Sequence, residues 1–395
     1  MKTSVTASLV LAGLISVLSS QALAISDACA LSQKALPQGH KMTAEQVKTY
    51  QTKLEKECAL TKTYRDVRSI LNNNFGHLSL DKITEYQAMR FVVRADYERA
   101  RQSNTLITKV YQIKRSDYSL PEEQRSSVIW DNWEAGMKQL QGSREKVLRG
   151  QGFTVDDLTK VHIGFFTLSK EEGDDAWNPQ EGLFKQETEN DNYWWNFNSA
   201  AEASEAKRIV NEINAEYKEL GLTGNSGNAD FDNVLRVKNS LKRQPVDKKD
   251  VVEYVDAIYS GDTRANRMHV DSIFKFINVM FAQALKDEHM LWNGRLLTPM
   301  EVGYLAQKFY VGVHPFAEGN GRTSRYILEL FMTSFDMPHG SSGDLMSNDV
   351  LMTFKDYYEL AYTSNAKLMN SMIECINQYK KNNPAAIDYN CRILK

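Results

Sequence analysis

The chain of 395 residues carries 42% hydrophobic and 25% charged side chains, the balance of an ordinary globular protein with length for one large or two medium domains. Its formal net charge of −2 removes any electrostatic case for a nucleic-acid partner or for binding to an anionic membrane surface. Four cysteines, with no Cys-x-x-Cys pair and no clustered histidine, argue against a zinc centre.

The N-terminus has its own chemistry. Lys2 opens a short basic region, an apolar run follows over 5–17, and Ala22-Leu23-Ala24 closes it with small residues at the two positions a signal peptidase reads. Residues 1–24 therefore read as a secretory signal peptide with cleavage after Ala24. The run falls short of the ~20 residues a membrane span requires, and no later stretch is long and apolar enough. The expectation is an exported chain, periplasmic or secreted, without a membrane partner. Cys29, Cys58, Cys375 and Cys391 all lie in the exported part, so disulfides are expected in an oxidising compartment. Three pairings are possible. The local pairs Cys29–Cys58 and Cys375–Cys391 are preferred. The alternatives tie the two ends of the chain together or leave buried free thiols.

Residues 25–149 read as a helical N-terminal domain. Thr43-Ala44-Glu45-Gln46 is a helix start. Apolar residues at helical spacing over 78–113, among them Tyr86, Met89, Phe91, Val92 and Tyr97, predict a second helix. A third is predicted over 126–148, with Trp130 and Trp133. A further domain is expected over 150–395. It opens with a helix start at Thr154-Val155-Asp156-Asp157-Leu158, whose helix carries His162 as a packed residue rather than a catalytic one. Residues 171–195 are loop-like and rich in acid and tryptophan. A helix over 200–220 and a Gly/Asn-rich turn region over 221–232 follow, and the residues from there to 261 read as an insertion. An amphipathic helix spans 270–285. Thr298-Pro299-Met300-Glu301 combines a threonine cap, a proline at the first helical position and a glutamate that closes a capping box. One or two helices are predicted over 349–379. No repeat or low-complexity linker interrupts the chain.

The chemistry concentrates in His314-Pro315-Phe316-Ala317-Glu318-Gly319-Asn320-Gly321-Arg322-Thr323-Ser324-Arg325. Gly319 and Gly321 permit backbone conformations closed to other residues and a close approach of ligand. A helix starting just after them offers free N–H groups and a positive dipole end to an anion. Arg322 and Arg325, three apart, share a face of that helix and suit a polyphosphate. Glu318 beside such an anion site would repel phosphate unless a bridging Mg²⁺ intervened. His314 has an unperturbed pKa near ~6.5 and suits general-base work. Each feature alone has a structural reading: a turn, a solvated face, a packed histidine. Their coincidence in twelve residues favours nucleotide-phosphate chemistry.

The stretch resembles the signature of the Fic (filamentation-induced-by-cAMP) domain family, His-x-Phe-x-(Asp/Glu)-Gly-Asn-Gly-Arg-x-x-Arg, and matches every defined position, with glutamate where aspartate is commoner. The resemblance implies an all-α, mainly helical fold with a small β-hairpin flap, and Mg²⁺-dependent transfer of AMP from ATP to a Ser, Thr or Tyr hydroxyl of a target protein. By the same resemblance, His314 deprotonates the hydroxyl and Glu318 holds Mg²⁺. Gly319, Asn320 and Gly321 surround the α-phosphate region, Arg322 and Arg325 bind the outer phosphates, and Phe316 anchors the loop. The flap would pair with target backbone; Gly182-Leu183-Phe184-Lys185-Gln186 is the candidate first strand, with 261–268 as the alternative. Family members often carry an inhibitory (Ser/Thr)-x-x-x-Glu-(Gly/Asn) helix. No segment here matches it cleanly; Glu374, preceded by Asn370, is the nearest. An exported chain meets little ATP. Either it reaches a host cytosol as an effector, or it transfers another phosphate-linked group or removes AMP. A non-catalytic nucleotide-binding protein is the rival outside enzymes, and the oligomeric state is not legible.

Overall fold

The computed structural model describes residues 25–74, 136–165, 194–196, 200–222, 235–239, 253–257, 263–313, 315–316, 319–338 and 352–381. It is mostly helical. In chain order the elements are α1 (Ala28–Ser32), α2 (Ala44–Asn74), α3 (Leu140–Leu148), α4 (Val155–Gly164), β1 (Trp194–Asn196), α5 (Ala200–Glu219), β2 (Leu235–Asn239), β3 (Glu253–Ala257), α6 (Thr263–Leu285), β4 (Met290–Trp292), β5 (Arg295–Leu297), α7 (Pro299–Val313), α8 (Asn320–Ser334) and α9 (Phe354–Lys381). None of the described helices is long and apolar enough to cross a membrane.

The helix starts follow local chemistry. Thr43 and Gln46 cap α2 reciprocally, the threonine hydroxyl accepting from the Gln46 amide at 3.3 Å and the glutamine side chain accepting from the Thr43 amide at 2.8 Å. Thr154 and Asp157 form a complete capping box on α4. Thr298 and Glu301 form another on α7, with the Thr298 amide donating to Glu301 at 3.0 Å.

α7 is the centre of the molecule. All fifteen of its residues are buried, Glu301, Gln307 and Lys308 among them, so the helix is enclosed by its neighbours on every side. α8 packs along it in the antiparallel sense: a Cβ on Gly303, early in α7, would meet Met332, Phe331 and Leu328, late in α8, at 3.2–3.4 Å. Glycine there permits the close approach. α6 adds Phe281 to a ring stack with Phe331 and Phe335. Residues on both sides of position 150, from Tyr50 and Tyr64 on α2 to Met369 on α9, share one hydrophobic cluster with α7 and α8.

Several expectations are corrected. Residues 263–268 are the first turns of α6, so the alternative flap position is helical: the amphipathic pattern extends upstream of residue 270. The stretch read as an insertion carries β2 and β3, which pair antiparallel with Val237 opposite Val255; β1, whose first two residues fall in the segment read as loop, joins the other edge of β3. The helix predicted over 126–148 is described from residue 136 and breaks into turn at Lys138 and Gln139 before α3. The hairpin β4–β5 was not anticipated. Asn293 at φ 51° and Gly294 at φ 85° form its two-residue turn, with Trp292 opposite Arg295. An Asn-Gly pair between short apolar runs was the available signal. The helix predicted over 78–113 and the flap candidate Gly182, Leu183, Phe184 and Lys185 lie outside the described residues.

Candidate functional site

The signature stretch joins the C-terminal end of α7 to the N-terminal end of α8. His314, Ala317 and Glu318 lie outside the described residues; Pro315, Phe316 and 319–325 are described. Gly319 occupies the N-cap of α8 at φ 76°, the left-handed region where a side chain would strain the backbone. The helix thus begins at Asn320, inside the Gly-Asn-Gly turn and two residues earlier than Arg322.

Asn320 has a structural task. Its side-chain carbonyl accepts from the Phe316 amide at 2.9 Å, and its side-chain amide donates to the Phe316 carbonyl at 2.6 Å. Both groups are buried, so the pair closes the turn across four residues and satisfies buried backbone at Phe316. Phe316 is fully buried and stacks on His162 of α4, with ring centroids 3.8 Å apart. His162 is therefore the packed residue expected, and its ring is the platform for the loop anchor. Thr323 donates to the Gly319 carbonyl at 2.8 Å, and Ser324 to the Gly321 carbonyl at 2.9 Å.

The two arginines differ. Arg322 directs one terminal nitrogen to the Phe165 carbonyl at 3.0 Å, at the C-terminal end of α4. This fastens α4 to the signature helix, a role the sequence did not suggest. Arg325 is 5% exposed, and one terminal nitrogen donates to the Gly321 carbonyl at 2.7 Å. Its Nε–H is buried and has no partner among the described residues, and no described carboxylate pairs with the guanidinium. A buried cation without counter-charge is costly. It lies one turn inside α8, where the free N–H groups and the dipole also favour negative charge. The donor set fits an anion with several oxygens.

Glu374 is exposed on α9 and forms no ion pair with Arg325. The structure does not bring the two together. Two further contacts tie α3 to α8 and to α4, which sequence reading did not connect. Tyr326 of α8 donates to Ser143 of α3 at 2.8 Å, and burial pushes its hydroxyl up from the ordinary tyrosine range. On α4, burial would raise the Asp157 carboxyl, but Lys146 and Thr154 outweigh it with hydrogen bonds and hold it below the usual aspartate value. Lys146 of α3 thereby pins the start of the helix that carries His162. No group of three or more metal-ligating side chains stands together among the described residues. No known protein-family model matches the chain.

Proposed function

We propose that the chain is a Fic-type protein adenylyltransferase, exported after removal of residues 1–24, that moves AMP from ATP to a Ser, Thr or Tyr hydroxyl of another protein. The observation that carries the reading is Arg325: a buried guanidinium with an unpartnered Nε–H and no described counter-charge, at the N-terminal turn of α8. Arg325 belongs to a stretch whose sequence matches the family signature at every defined position.

In this reading the polyphosphate of the nucleotide lies at the N-terminus of α8. Its outer phosphates meet Arg325, and Arg322 contributes charge while bracing α4. Gly319 and Gly321 admit the backbone close to the α-phosphate, and Asn320 holds the turn in shape. Mg²⁺, held by Glu318 and phosphate oxygens, would neutralise the charge between them. His314 takes the proton of the target hydroxyl. The hydroxyl oxygen bonds to the α-phosphorus as the bond to the β-phosphate bridging oxygen breaks, and pyrophosphate leaves.

The test is transfer of label from ATP carrying it at the α-phosphate to proteins of a candidate target-cell lysate. Label on a lysate protein or on the enzyme itself is expected, reduced about 10²–10⁴-fold by His314→Ala, the range of a lost general base. Nucleotide binding should survive that substitution. Equal labelling by both forms would overturn the mechanism. Binding of ATP without transfer would point to another nucleotide-linked donor or to a non-catalytic binding protein.

A further inference from the structure

One helix reaches both ends of the signature pair that lie farthest from the signature itself. At the start of α7, Glu57 of α2 is wholly buried; its carboxyl accepts from the Thr298 hydroxyl, from the Tyr358 hydroxyl at 2.7 Å and from the Met300 amide at 3.1 Å. Lys53, one turn earlier on α2, pairs with Glu301 at 2.5 Å and lies over the Tyr358 ring. At the end of α8, Asp336 sits at φ 57° and accepts from Arg65 at 2.6 Å and from Arg68 through both carboxylate oxygens. From Glu57 to Arg65 and Arg68 is about 12–17 Å along a helix rising ~1.5 Å per residue. Packed helix axes lie only about 8–10 Å apart. α2 therefore bridges the open end of the α7–α8 hairpin, and the closed end carries the signature.

We propose that α2 is a positioning strut for the signature turn: Glu57 and Lys53 at the head of α7, with Arg65 and Arg68 at the foot of α8, set the register of one helix against the other and so the placement of the end of α7 relative to the anion site of α8. These are positioning residues, since none reaches the turn. The phosphate donors all belong to α8, so a slip between the helices leaves the anion site whole. What shifts is the end of α7 at Val313, the residue that precedes His314 in the chain. The catalytic half of this inference rests on the proposed function; its structural half does not.

The experiment uses the full-length mature chain at pH 7. Arg65→Ala/Arg68→Ala and Glu57→Ala are compared with wild type and with Glu57→Gln, which keeps an acceptor at the same reach. Three quantities are read: amide exchange of residues 313–321 by mass spectrometry, affinity for inorganic triphosphate, and kcat for label transfer. The expected result is faster exchange in the turn for both Ala variants, affinity within about twofold of wild type, and kcat down about tenfold or more, in line with the cost of small misplacements in oriented catalysis. Glu57→Gln should restore wild-type behaviour. Unchanged exchange in Arg65→Ala/Arg68→Ala overturns the strut, as does a loss of affinity in proportion to kcat, which marks plain destabilisation. Should Glu57→Ala fail to fold, the arginine pair, which is partly exposed, decides alone. Failure of wild type to bind triphosphate or transfer label would sink the functional reading, and the exchange data would still judge the strut.

Discussion

Asn320 uses both halves of its amide on Phe316, and Arg322 directs one arm to Phe165. Two residues of a motif that reads as ligand-binding are thus also the fasteners that give the turn its shape. Arg325 is the exception, because its buried Nε–H has no described partner. A prediction belongs here. In Arg325→Met the unpaired cation is replaced by an apolar side chain of similar length, so the free protein should be as stable or more stable, as when other buried charges are exchanged for well-packed hydrophobes. Triphosphate affinity should fall about 10–100-fold, the equivalent of about 1.5–3 kcal/mol for a charged hydrogen bond. A thermal melt beside a binding titration checks both halves. A marked drop in melting temperature with unchanged affinity would mean that Arg325 serves the fold and not a ligand.

Among the elements, α7 depends most on a neighbour. Its own capping box satisfies part of its N-terminus, and Glu57 of α2 satisfies the Met300 amide. Burial lifts the Glu57 carboxyl from 4.5 to about 8, against the pull of hydrogen bonds from Thr298, Tyr358 and Met300, and the nearby Glu301 adds to the rise. A carboxyl whose folded pKa lies above its unfolded value binds more protons in the folded state between those limits. Its contribution to stability is fully present below the unfolded value and is lost as pH rises through about 8. Urea unfolding should therefore show stability falling from about pH 5 to about pH 8, with a slope of at most about 1.4 kcal/mol per pH unit from this group. Glu57→Gln, which does not titrate, should flatten the slope. Persistence of the full slope in that variant would assign it elsewhere.

At the scale of the molecule, the chain's first described segment is held by a covalent bond. Cys29 of α1 and Cys58 of α2 form a disulfide, which settles one of the two preferred pairings; the side chain of Cys375, on α9, and the whole of Cys391 fall outside what is described. A five-residue helix has little stability of its own. α1 is fixed by this bond, by Asp27 to Arg65 at 2.5 Å, and by Ser26 and Lys34 to Asp287 beyond α6. Closing a loop of 29 residues removes unfolded-state freedom equivalent to about 3–4 kcal/mol in the chain-entropy account. Reduction by a dithiol, or Cys29→Ser/Cys58→Ser, should lower the urea midpoint by a corresponding amount. Identical midpoints for oxidised and reduced protein would show that the bond constrains nothing.

The helical class, the starts of α2, α4 and α7, and the signature stretch were legible in the sequence because caps, amphipathic spacing and glycine turns act within a few residues of one another. The hairpin at Asn293-Gly294 was equally legible, since an Asn-Gly pair sets its turn locally. Other features required the folded chain. β2 and β3 pair across a connection whose length no local rule reads. Glu57 lies 241 residues from Thr298, and Arg65 lies 271 from Asp336, yet each pair meets in the fold. The platform of His162 under Phe316, the fastening of Arg322 to Phe165, and the lack of a described partner for the Arg325 Nε–H are likewise products of packing. Local chemistry determined where helices begin and which residues can carry charge. Only tertiary structure decided which of those charges meet a partner among the described residues, because pairing depends on distances that the order of residues does not contain.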